Sequence, residues 1–484
     1  MDGPSSLYNH PDIHSIAEYI KNKLYFATLK NDRQNTKKIE NVHFFNIDNE
    51  LVYNNFYNDF GPLNLACLYR YCCKVNKKLN NPANKHKILV HCTSKNDRKR
   101  ANAAYLIASY AVLYLNKNPK EAYKPLILGK ELSLRLFQDA SLGPSIYNIH
   151  LLDCLNALYK AALYGFFNFE DFDLLEYEKY EQIQNGDLNW IVPQKFLAFV
   201  SPTIEKGTSY HPPECYINYF LKNDVGAVVR LNKKTYDSNS FTKAGITHYD
   251  MFMPDGSIPP KRILNKFLHL AETTSGAIAV HCKAGLGRTG SLIAAYLIKH
   301  YKMSAREAIA WTRICRSGSV IGHQQAWLEN MEHSLWNEGQ EYRLKYRGDS
   351  DMVLHHRQGI YSIANKLENE ERDLPETDHP NCDHRKKYLG PNDYGGLPTD
   401  KLDKSKLSRI LGKLRNVSGT TDTNTAPRDS MTRKRDPTKH RRRKINPIAL
   451  TQGDKLNEIK ANRNKAAITS AMENKRAFAV TDDM

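Results

Sequence analysis

The chain carries the same pattern of apolar and polar positions twice. Residues 88–123 pass from an apolar run through His-Cys, five further residues and Arg into a long apolar stretch with helical spacing, and residues 278–309 repeat that order. An apolar run of strand length that feeds a loop and then a helix is typical of a buried strand in an α/β sheet. The pattern therefore predicts two tandem α/β domains of one fold, each with a central sheet flanked by helices.

The domain boundaries follow from changes in composition. We place a first domain at 1–165, an acidic linker helix at 166–186 and a second domain at 187–344. Residues 345–484 have few aromatic residues and many Asn, Asp, Ser, Thr and Lys, which is typical of disorder. The prediction is a basic, largely disordered C-terminal tail.

Positive charge is concentrated in this tail. Residues 385–484 hold 24 Lys and Arg against 11 Asp and Glu, a net +13 of the chain's +18. The run 428–444 contains nine Lys or Arg and is typical of a segment that binds import machinery or nucleic acid, a solvated basic linker being the alternative. Two further pieces have helical spacing: 401–414, which is either an export signal or a tail helix, and 454–478.

Other features limit the class of protein. There is no long uncharged apolar stretch and no signal peptide at the start, so we expect a soluble intracellular protein without a membrane span. The nine cysteines are scattered, with neither disulfide-scaffold density nor paired metal-ligand spacing. We expect reduced thiols, no metal and no organic cofactor.

The second repeat contains a complete set of residues for thiolate chemistry on phosphate. Its loop reads His281-Cys282-Lys283-Ala284-Gly285-Leu286-Gly287-Arg288-Thr289-Gly290. A free thiol with a pKa of about 8.5 is mostly protonated at neutral pH, whereas amide dipoles at a helix N-terminus stabilise a thiolate and bind phosphate oxygens. The glycines allow the loop amides to turn inward, Arg288 can bind two phosphate oxygens, and Thr289 can donate a hydrogen bond to the sulfur. The alternative is a buried structural cysteine.

A phosphate monoester also needs a general acid to protonate its leaving oxygen. Asp255 lies upstream of Cys282 in a loop rich in Pro and Gly, at 251–260, that can reach over a pocket. Asp250 is the competing candidate, but its position at the end of a predicted strand favours capping or solvation. The sequence therefore favours Asp255.

The first repeat keeps His-Cys and the spaced arginine but not the rest. Its loop from Cys92 to Arg98 has no glycine, and it carries Asp97 inside the segment that would surround an anion. A carboxylate there would repel phosphate. We predict a structural or substrate-docking role for this copy, and a redox role for Cys92 is left open.

Several longer segments resemble one known family. HCKAGLGRTG, NWIVPQKFLAF, FYNDFGPLNLACLYRYCCKVNKKL, VRLNKKTYD and RICRSGSVIGHQQ are similar to the cell-division-cycle fourteen family of dual-specificity phosphatases over roughly residues 15–340. A weaker match, TQGDKLNEIK, lies in the tail at 451–460. The resemblance implies two tandem dual-specificity-phosphatase-like domains, the second of them catalytic.

The resemblance also implies roles for particular residues. Cys282 would be the nucleophile, Arg288 the phosphate clamp and Asp255 the general acid, with Gln324 and Gln325 in a loop bordering the pocket. Substrates would carry phosphoserine followed by proline and a basic residue, as made by cyclin-dependent kinases and reversed at mitotic exit and cytokinesis. Such selection needs an acidic groove, for which the linker offers Glu176, Glu178 and Glu181, a solvated helix face being the alternative. The implied locations are the nucleus, including the nucleolus, the cytoplasm, and centrosome or spindle.

Two departures from the family pattern stand out. Ser317 and His323 replace prolines near the glutamines, which predicts a less rigid loop, and Cys92 stands where relatives usually have an aromatic residue.

Three alternative functions remain. An inositol-lipid phosphatase is disfavoured because Leu286 occupies the place of a second loop lysine. An RNA 5′-phosphatase and an inactive phosphoprotein-binding scaffold are the other two.

Overall fold

The computed structural model describes residues 7–30, 39–128, 133–204, 211–372 and 450–465. The strands are β1 Ile13–Ile20, β2 Leu24–Leu29, β3 Val42–Phe45, β4 Ile88–Thr93, β5 Phe137–Gln138, β6 Asn148–Ile149, β7 Leu188–Val192, β8 Phe196–Phe199, β9 Val225–Arg230, β10 Thr247–Asp250 and β11 Ala277–His281. The helices are α1 Leu65–Leu79, α2 Asp97–Tyr114, α3 Pro119–Ile127, α4 Leu151–Leu163, α5 Leu174–Glu181, α6 Glu214–Lys222, α7 Asn239–Thr242, α8 Lys261–Thr273, α9 Gly287–Tyr301, α10 Ala305–Cys315, α11 His323–Arg347, α12 Ile363–Arg372 and α13, residues 452–465.

The two predicted repeats form two sheets of the same topology. The first has the order β1-β2-β4-β3 and the second β10-β9-β11-β8-β7. In each sheet, the second strand of an antiparallel hairpin pairs in parallel with the His-Cys strand, which is β4 or β11. A third strand pairs in parallel with the His-Cys strand on its other side. The second sheet adds β10 at the far edge. The prediction of two tandem α/β domains is confirmed.

The second helix after each His-Cys strand begins with a capping box. In α3, the side chain of Asn118 accepts from the Glu121 amide while Glu121 accepts from the Asn118 amide, and Ser304 and Glu307 form the same capping box at α10. Such reciprocal caps satisfy amides that a helix start leaves unpaired. The two repeats therefore match at these helix starts as well.

One continuous apolar core joins the two repeats, with side chains from β4, α2, α4, β11, α9 and α10 in a single cluster. Lys160 of α4 donates to the Lys302 carbonyl at 2.8 Å and pairs with Glu307 at 2.7 Å, so the helix packs against the cap of α10. The linker prediction was too long, since its helix, α5, covers only Leu174–Glu181. The proposed domain boundaries stay predictions.

The prediction of a disordered tail from about residue 345 is wrong for two segments. Helix α11 continues to Arg347, and Ile360 and Tyr361 are buried in the core, with the Tyr361 hydroxyl accepting from the Trp190 amide at 3.0 Å. Residues 450–465 are folded too, and α13 overlaps the predicted 454–478 helix. A few apolar anchors suffice to fix segments whose average composition is polar. The segments 401–414 and 428–444 lie outside the described residues.

Within the described part of the chain, no helix has the length and apolar character needed to cross a membrane, and no three His, Cys, Asp or Glu side chains are grouped to hold a metal ion.

Candidate active site

Cys282 and Arg288 lie at the start of one helix. Cys282 is the first residue after β11 and Arg288 lies in the first turn of α9, and each is only 3% exposed. The first amides of a helix have no partner within it and carry the positive end of the helix dipole. The loop between them therefore forms an anion-binding site with a sulfur at its base.

The loop is held in shape from behind by Arg316. Gly285 has φ +66°, and a Cβ there would lie 2.0 Å from the Phe199 carbonyl oxygen, so only glycine fits. Arg316 Nε donates to the Gly285 carbonyl at 2.8 Å and its Nη2 donates to the Ala284 carbonyl at 3.1 Å. Because Arg316 binds these carbonyls behind the loop, the amide N–H groups of the loop can point into the pocket.

The surroundings of Cys282 favour the thiolate. Burial alone would raise the pKa of Cys282, but the charge of Arg288 and hydrogen bonds from the Thr289 hydroxyl and amide outweigh it and hold the pKa below its usual value. The buried Thr289 Oγ1 has no partner among the nitrogen and oxygen atoms of the described residues, so it is free to donate to the sulfur. The carboxylate of Asp255 acts in the opposite direction, raising the pKa.

His281 supports the loop as a neutral ring. Burial lowers the pKa of His281 to about 3. Its Nδ1 lies 3.1 Å from the Cys282 carbonyl, which can only accept, so Nδ1 carries the proton and Nε2 accepts from the Tyr236 hydroxyl at 2.7 Å. The Tyr236 oxygen in turn lies 2.8 Å from His248 Nε2. This chain of hydrogen bonds fixes the backbone at the sulfur.

Asp255 lies against the arginine clamp. Arg288 Nη2 donates to Asp255 Oδ1 at 2.7 Å, and Nη1 donates to the Met253 carbonyl at 2.8 Å. The loop at 251–260 is thus closed over the phosphate loop, with the carboxylate beside the pocket. Asp250, the last residue of β10, instead pairs with buried Arg230 at 2.6 Å.

The two predicted glutamines have different surroundings. Gln324 accepts from the Ile321 amide at 2.9 Å and donates to the Ser257 carbonyl at 3.1 Å, so it joins its own loop to the loop of Asp255. Gln325 is fully buried and accepts from Arg313 at 2.6 Å. Arg313 also binds the carbonyls of Ser319 and Val320. The loop that lacks the family's prolines is therefore held by a buried arginine.

The three linker glutamates do not lie together. Glu178 and Glu181 line a cavity of about 510 Å³, here called the acidic cavity, whose carboxylates are Glu50, Glu178, Glu181 and Asp187. Glu178 pairs with Arg70 at 2.7 Å and Glu181 accepts from Asn64 at 3.0 Å. Glu176 lies elsewhere, against Lys366 and the Tyr219 hydroxyl. Positions two apart on a helix point to opposite sides, so grouping Glu176 with the others was wrong.

The matching loop of the first repeat already contains a carboxylate. Asp48 accepts from the Thr93 hydroxyl at 2.9 Å and the Ser94 amide at 3.0 Å, and burial, with the charge of Asp48, raises the pKa of Cys92 to about 12. The repelling group predicted from sequence was Asp97, but its exposed side chain lies at the start of α2. Cys92 is therefore a protonated, buried thiol.

Sequence reasoning missed Arg316 and Asp187. Arg316 is 2% exposed and pairs with Asp187 at 2.9 Å, which connects the back of the phosphate loop to the acidic cavity. An arginine directly after a helix with many buried residues, next to the Ser-Gly turn of RICRSGS, is the signal that could have identified the first of them.

Comparisons with known proteins agree with this geometry. The family model "Dual specificity protein phosphatase, N-terminal half" matches residues 18–161. The model "Polymorphic toxin system, DSP-PTPase phosphatase" matches residues 211–302, which contain the phosphate loop. The two matches fall on the first and the second repeat.

Curated relatives match across both repeats. The chain is 55% identical over 340 residues to dual specificity protein phosphatase CDC14A of Mus musculus, covering 69% of this chain and 56% of that protein. It is 50% identical over 367 residues to CDC14B of Mus musculus, covering 74% of this chain and 75% of that protein. It is 49% identical over 414 residues to CDC14AB of Danio rerio, covering 85% of this chain and 66% of that protein. The chain thus spans between about half and three quarters of the length of these relatives.

The lowered pKa of Cys282 predicts its reactivity. A thiol with a lowered pKa forms thiolate at lower pH, so alkylation of Cys282 by iodoacetamide should reach half its maximal rate at lower pH than alkylation of Cys215, an exposed thiol whose pKa burial raises. Asp255→Asn should lower the Cys282 midpoint further, since that carboxylate raises the pKa. Mass spectrometry of the two peptides across pH measures both. A Cys282 midpoint at or above that of Cys215 contradicts the assignment.

Arg316→Met should be strongly destabilising. The change leaves two loop carbonyls without donors and removes a cation from buried Asp187, and breaking a buried pair costs about 3–5 kcal/mol. Denaturant unfolding measures the loss. Glu329→Gln is the matched control, because it removes a half-exposed ion pair with Arg306 worth about 1 kcal/mol or less. Equal losses in the two variants would argue against a positioning role.

Proposed function

Because the chain belongs to the CDC14 family of dual specificity protein phosphatases, we propose that it hydrolyses phosphoserine, and also phosphothreonine and phosphotyrosine, in proteins through a phosphocysteine intermediate. The observation that carries the proposal is the juxtaposition of Cys282, Arg288 and Asp255 at the N-terminus of α9. Thiolate, clamp and proton donor are the groups that this reaction requires.

In the first step, the Cys282 sulfur attacks phosphorus and the bond from phosphorus to the serine oxygen breaks. Arg288 and the loop amides bind the equatorial phosphate oxygens, where charge is spread in the transition state. Asp255 gives its proton to the leaving serine oxygen, so a neutral hydroxyl departs. The closed position of its loop, joined to Gln324 through Ser257, supports this role.

In the second step, water attacks the phosphocysteine. Asp255, now a carboxylate, takes a proton from the water, and the sulfur leaves as a thiolate stabilised by the Thr289 hydroxyl and amide. Inorganic phosphate is released and the enzyme returns to its starting protonation. No step uses a group other than side chains and amides of the chain and the attacking water.

The substrate class follows from charge near the phosphate loop. We propose that the acidic cavity receives a basic residue that follows phosphoserine-proline. Glu178, Glu181 and Asp187 line it, and Asp187 is joined to the phosphate loop through Arg316. Lys283 is the other loop cation, whereas Leu286 is fully buried among apolar side chains, so the loop lacks the second cation suited to a polyphosphorylated lipid headgroup.

Such selectivity would make the protein an antagonist of proline-directed, cyclin-dependent kinases, and a role in mitotic exit and cytokinesis is part of the proposal. The proposal also includes nuclear and cytoplasmic locations and import through the basic run 428–444. That run lies outside the described residues. Imaging of the tagged chain with and without that run tests the import proposal.

A substrate panel tests the reaction. We expect hydrolysis of pSer-Pro-x-Lys peptides in preference to inositol phosphates and triphosphorylated RNA. Cys282→Ser should lower turnover more than about a thousandfold while still binding phosphopeptide, and Asp255→Asn should lower kcat about a hundredfold or more with little change in binding. Released phosphate and phosphopeptide binding are the measurements. Preferential hydrolysis of the lipid headgroup or RNA would overturn the proposal, and binding without turnover would indicate a scaffold.

Substitution of the cavity carboxylates tests the selectivity. Glu178→Gln with Glu181→Gln should reduce the ratio of kcat/KM for pSer-Pro-x-Lys over pSer-Pro-x-Ala about tenfold, the effect of about 1.4 kcal/mol of lost attraction. Glu176→Gln, on the opposite side of α5, is the matched control and should leave the ratio unchanged. An unchanged ratio in the double variant would remove the acidic cavity from substrate selection.

A further inference from the structure

A buried carboxylate of the first repeat contacts the second repeat at the start of helix α11. Asp139 directly follows the short strand β5 and is 2% exposed. Its Oδ2 accepts from the amide of Gly322 at 2.7 Å, a residue 183 positions later in the chain. Its Oδ1 accepts from the hydroxyl of Ser145 at 2.6 Å. Both oxygens therefore have a donor, and one of the donors belongs to the second repeat.

Helix α11 has no side-chain cap of its own. Its N-cap residue is Gly322, which has no side chain, and its first turn contains no acidic residue. The first amides of a helix lack partners within it, and a carboxylate close to them interacts favourably with the helix dipole. Asp139 therefore supplies, from the first repeat, the carboxylate that this helix start lacks.

The first turn of α11 carries Gln324, whose side chain contacts two loops of the candidate active site. Its Nε2 donates to the Ser257 carbonyl at 3.1 Å, in the acid loop, the segment 251–260 that carries Asp255. A Cβ added at Gly287 of the phosphate loop would lie 2.8 Å from Gln324 Oε1, so the side chain lies directly against that backbone. Gln324 thus joins the acid loop to the phosphate loop.

Charges of both signs hold the loop that leads into α11. Arg313 donates to the carbonyls of Ser319 and Val320 at 3.0 and 2.8 Å. Burial lowers the pKa of Arg313, and the charge of Asp139 is the largest influence that opposes this shift. Arg313 binds carbonyls of the loop, whereas Asp139 binds the amide at its end. The position of the first helical turn therefore depends on both groups.

Apolar packing fixes the position of Asp139. Ala140, the next residue, is 1% exposed and lies in one cluster with Ile321 and with Ala284 and Leu286 of the phosphate loop. Ile321 directly precedes the residue whose amide Asp139 binds. The two backbones that the hydrogen bond joins are thus also joined by packing, so Asp139 is a fixed acceptor and not a surface carboxylate.

We propose that Asp139 is a positioning residue for phosphate transfer, which caps α11, holds Gln324 in place and through it holds the acid loop over the phosphate loop. The proposal rests on the proposed function for the identity of the leaving group. The first repeat would then take part in the reaction although its own thiol, Cys92, is protonated and buried.

The leaving group distinguishes this role from a general loss of structure. A serine oxygen needs a proton from Asp255 to depart, whereas p-nitrophenolate is a stable anion that needs little protonation. A displaced acid loop therefore slows transfer from phosphoserine more than transfer from p-nitrophenyl phosphate. The quantity to compare is kcat/KM, which measures stabilisation of the transition state relative to free enzyme and substrate. The ratio of the two constants does not depend on the fraction of folded protein.

Kinetics of the full chain test the proposal. Asp139→Ala should lower kcat/KM for a pSer-Pro-x-Lys peptide about tenfold and that for p-nitrophenyl phosphate about twofold or less. Asp139→Asn keeps an oxygen acceptor for the Gly322 amide and should recover most of the loss. Ser145→Ala is a milder change that removes the hydroxyl donor to Asp139, and it should shift the ratio in the same direction by a smaller factor.

Asp48→Ala is the matched control. It removes another buried carboxylate of the first repeat that also accepts from a hydroxyl and a backbone amide, so it should leave the ratio of the two constants unchanged. Asp139 is not among the described residues that line the acidic cavity. Asp139→Ala should therefore keep the wild-type preference for pSer-Pro-x-Lys over pSer-Pro-x-Ala.

A double variant tests whether Asp139 acts through Gln324. Gln324→Ala should change the ratio of the two constants in the same direction as Asp139→Ala. Adding Asp139→Ala to Gln324→Ala should have little further effect, because residues that act through one contact are not additive. Additive losses in the double variant would contradict the proposed route.

Hydrogen exchange separates this proposal from the proposed function, because it needs no substrate. Amides of residues 251–260 should exchange faster in Asp139→Ala than in the wild type, and not in Asp48→Ala, as measured by mass spectrometry. Should the wild type hydrolyse no phosphopeptide, the proposed function fails while this result still supports the positioning role. Unchanged exchange at 251–260, an equal fall of kcat/KM for both substrates, or a lost preference for lysine would overturn the positioning role.

Discussion

A buried guanidinium beneath the phosphate loop is the interaction on which the rest of the site depends. Each peptide group has an N–H donor on one edge and a carbonyl acceptor on the other. An anion-binding loop must therefore point its carbonyl oxygens away from the anion. Arg316 donates hydrogen bonds to the carbonyls of Ala284 and Gly285, and the left-handed conformation of Gly285 permits the turn. The thiolate of Cys282 and the position of Arg288 both follow from a loop held in this way.

The two repeats show what happens when the same topology keeps or loses that arrangement. Both sheets place a His-Cys pair before the start of a helix, yet in the first repeat the buried carboxylate of Asp48 accepts from the Ser94 amide. Burial, together with the negative charge of Asp48, raises the pKa of Cys92. Fold alone therefore does not produce the chemistry; the net charge within the loop decides it.

Local signals made most of the fold predictable. The strand, loop and helix around Cys282 depend on neighbours in sequence, and the structure has them where the pattern predicts them. The reach of Arg316, the occupation of the first loop by Asp48 and the separation of Glu176 from Glu178 depend on contacts between distant segments. Average composition also did not reveal that residues 450–465 are folded, because Leu456, Lys460 and Arg463 contact a surface formed by both repeats.

The acidic cavity holds a buried lysine, Lys460, beside Asp187. Burial lowers the pKa of Lys460 to about 8, with the charge of Arg316 acting in the same direction and Asp187 opposing both. A cation whose pKa falls on burial loses more in hydration than it gains from its partner. Replacement by another cation keeps the charge of the cavity constant, whereas departure without replacement leaves buried carboxylates unbalanced. The charge balance of the cavity thus depends on Lys460 and Arg463 as well as on Arg70 and Arg316.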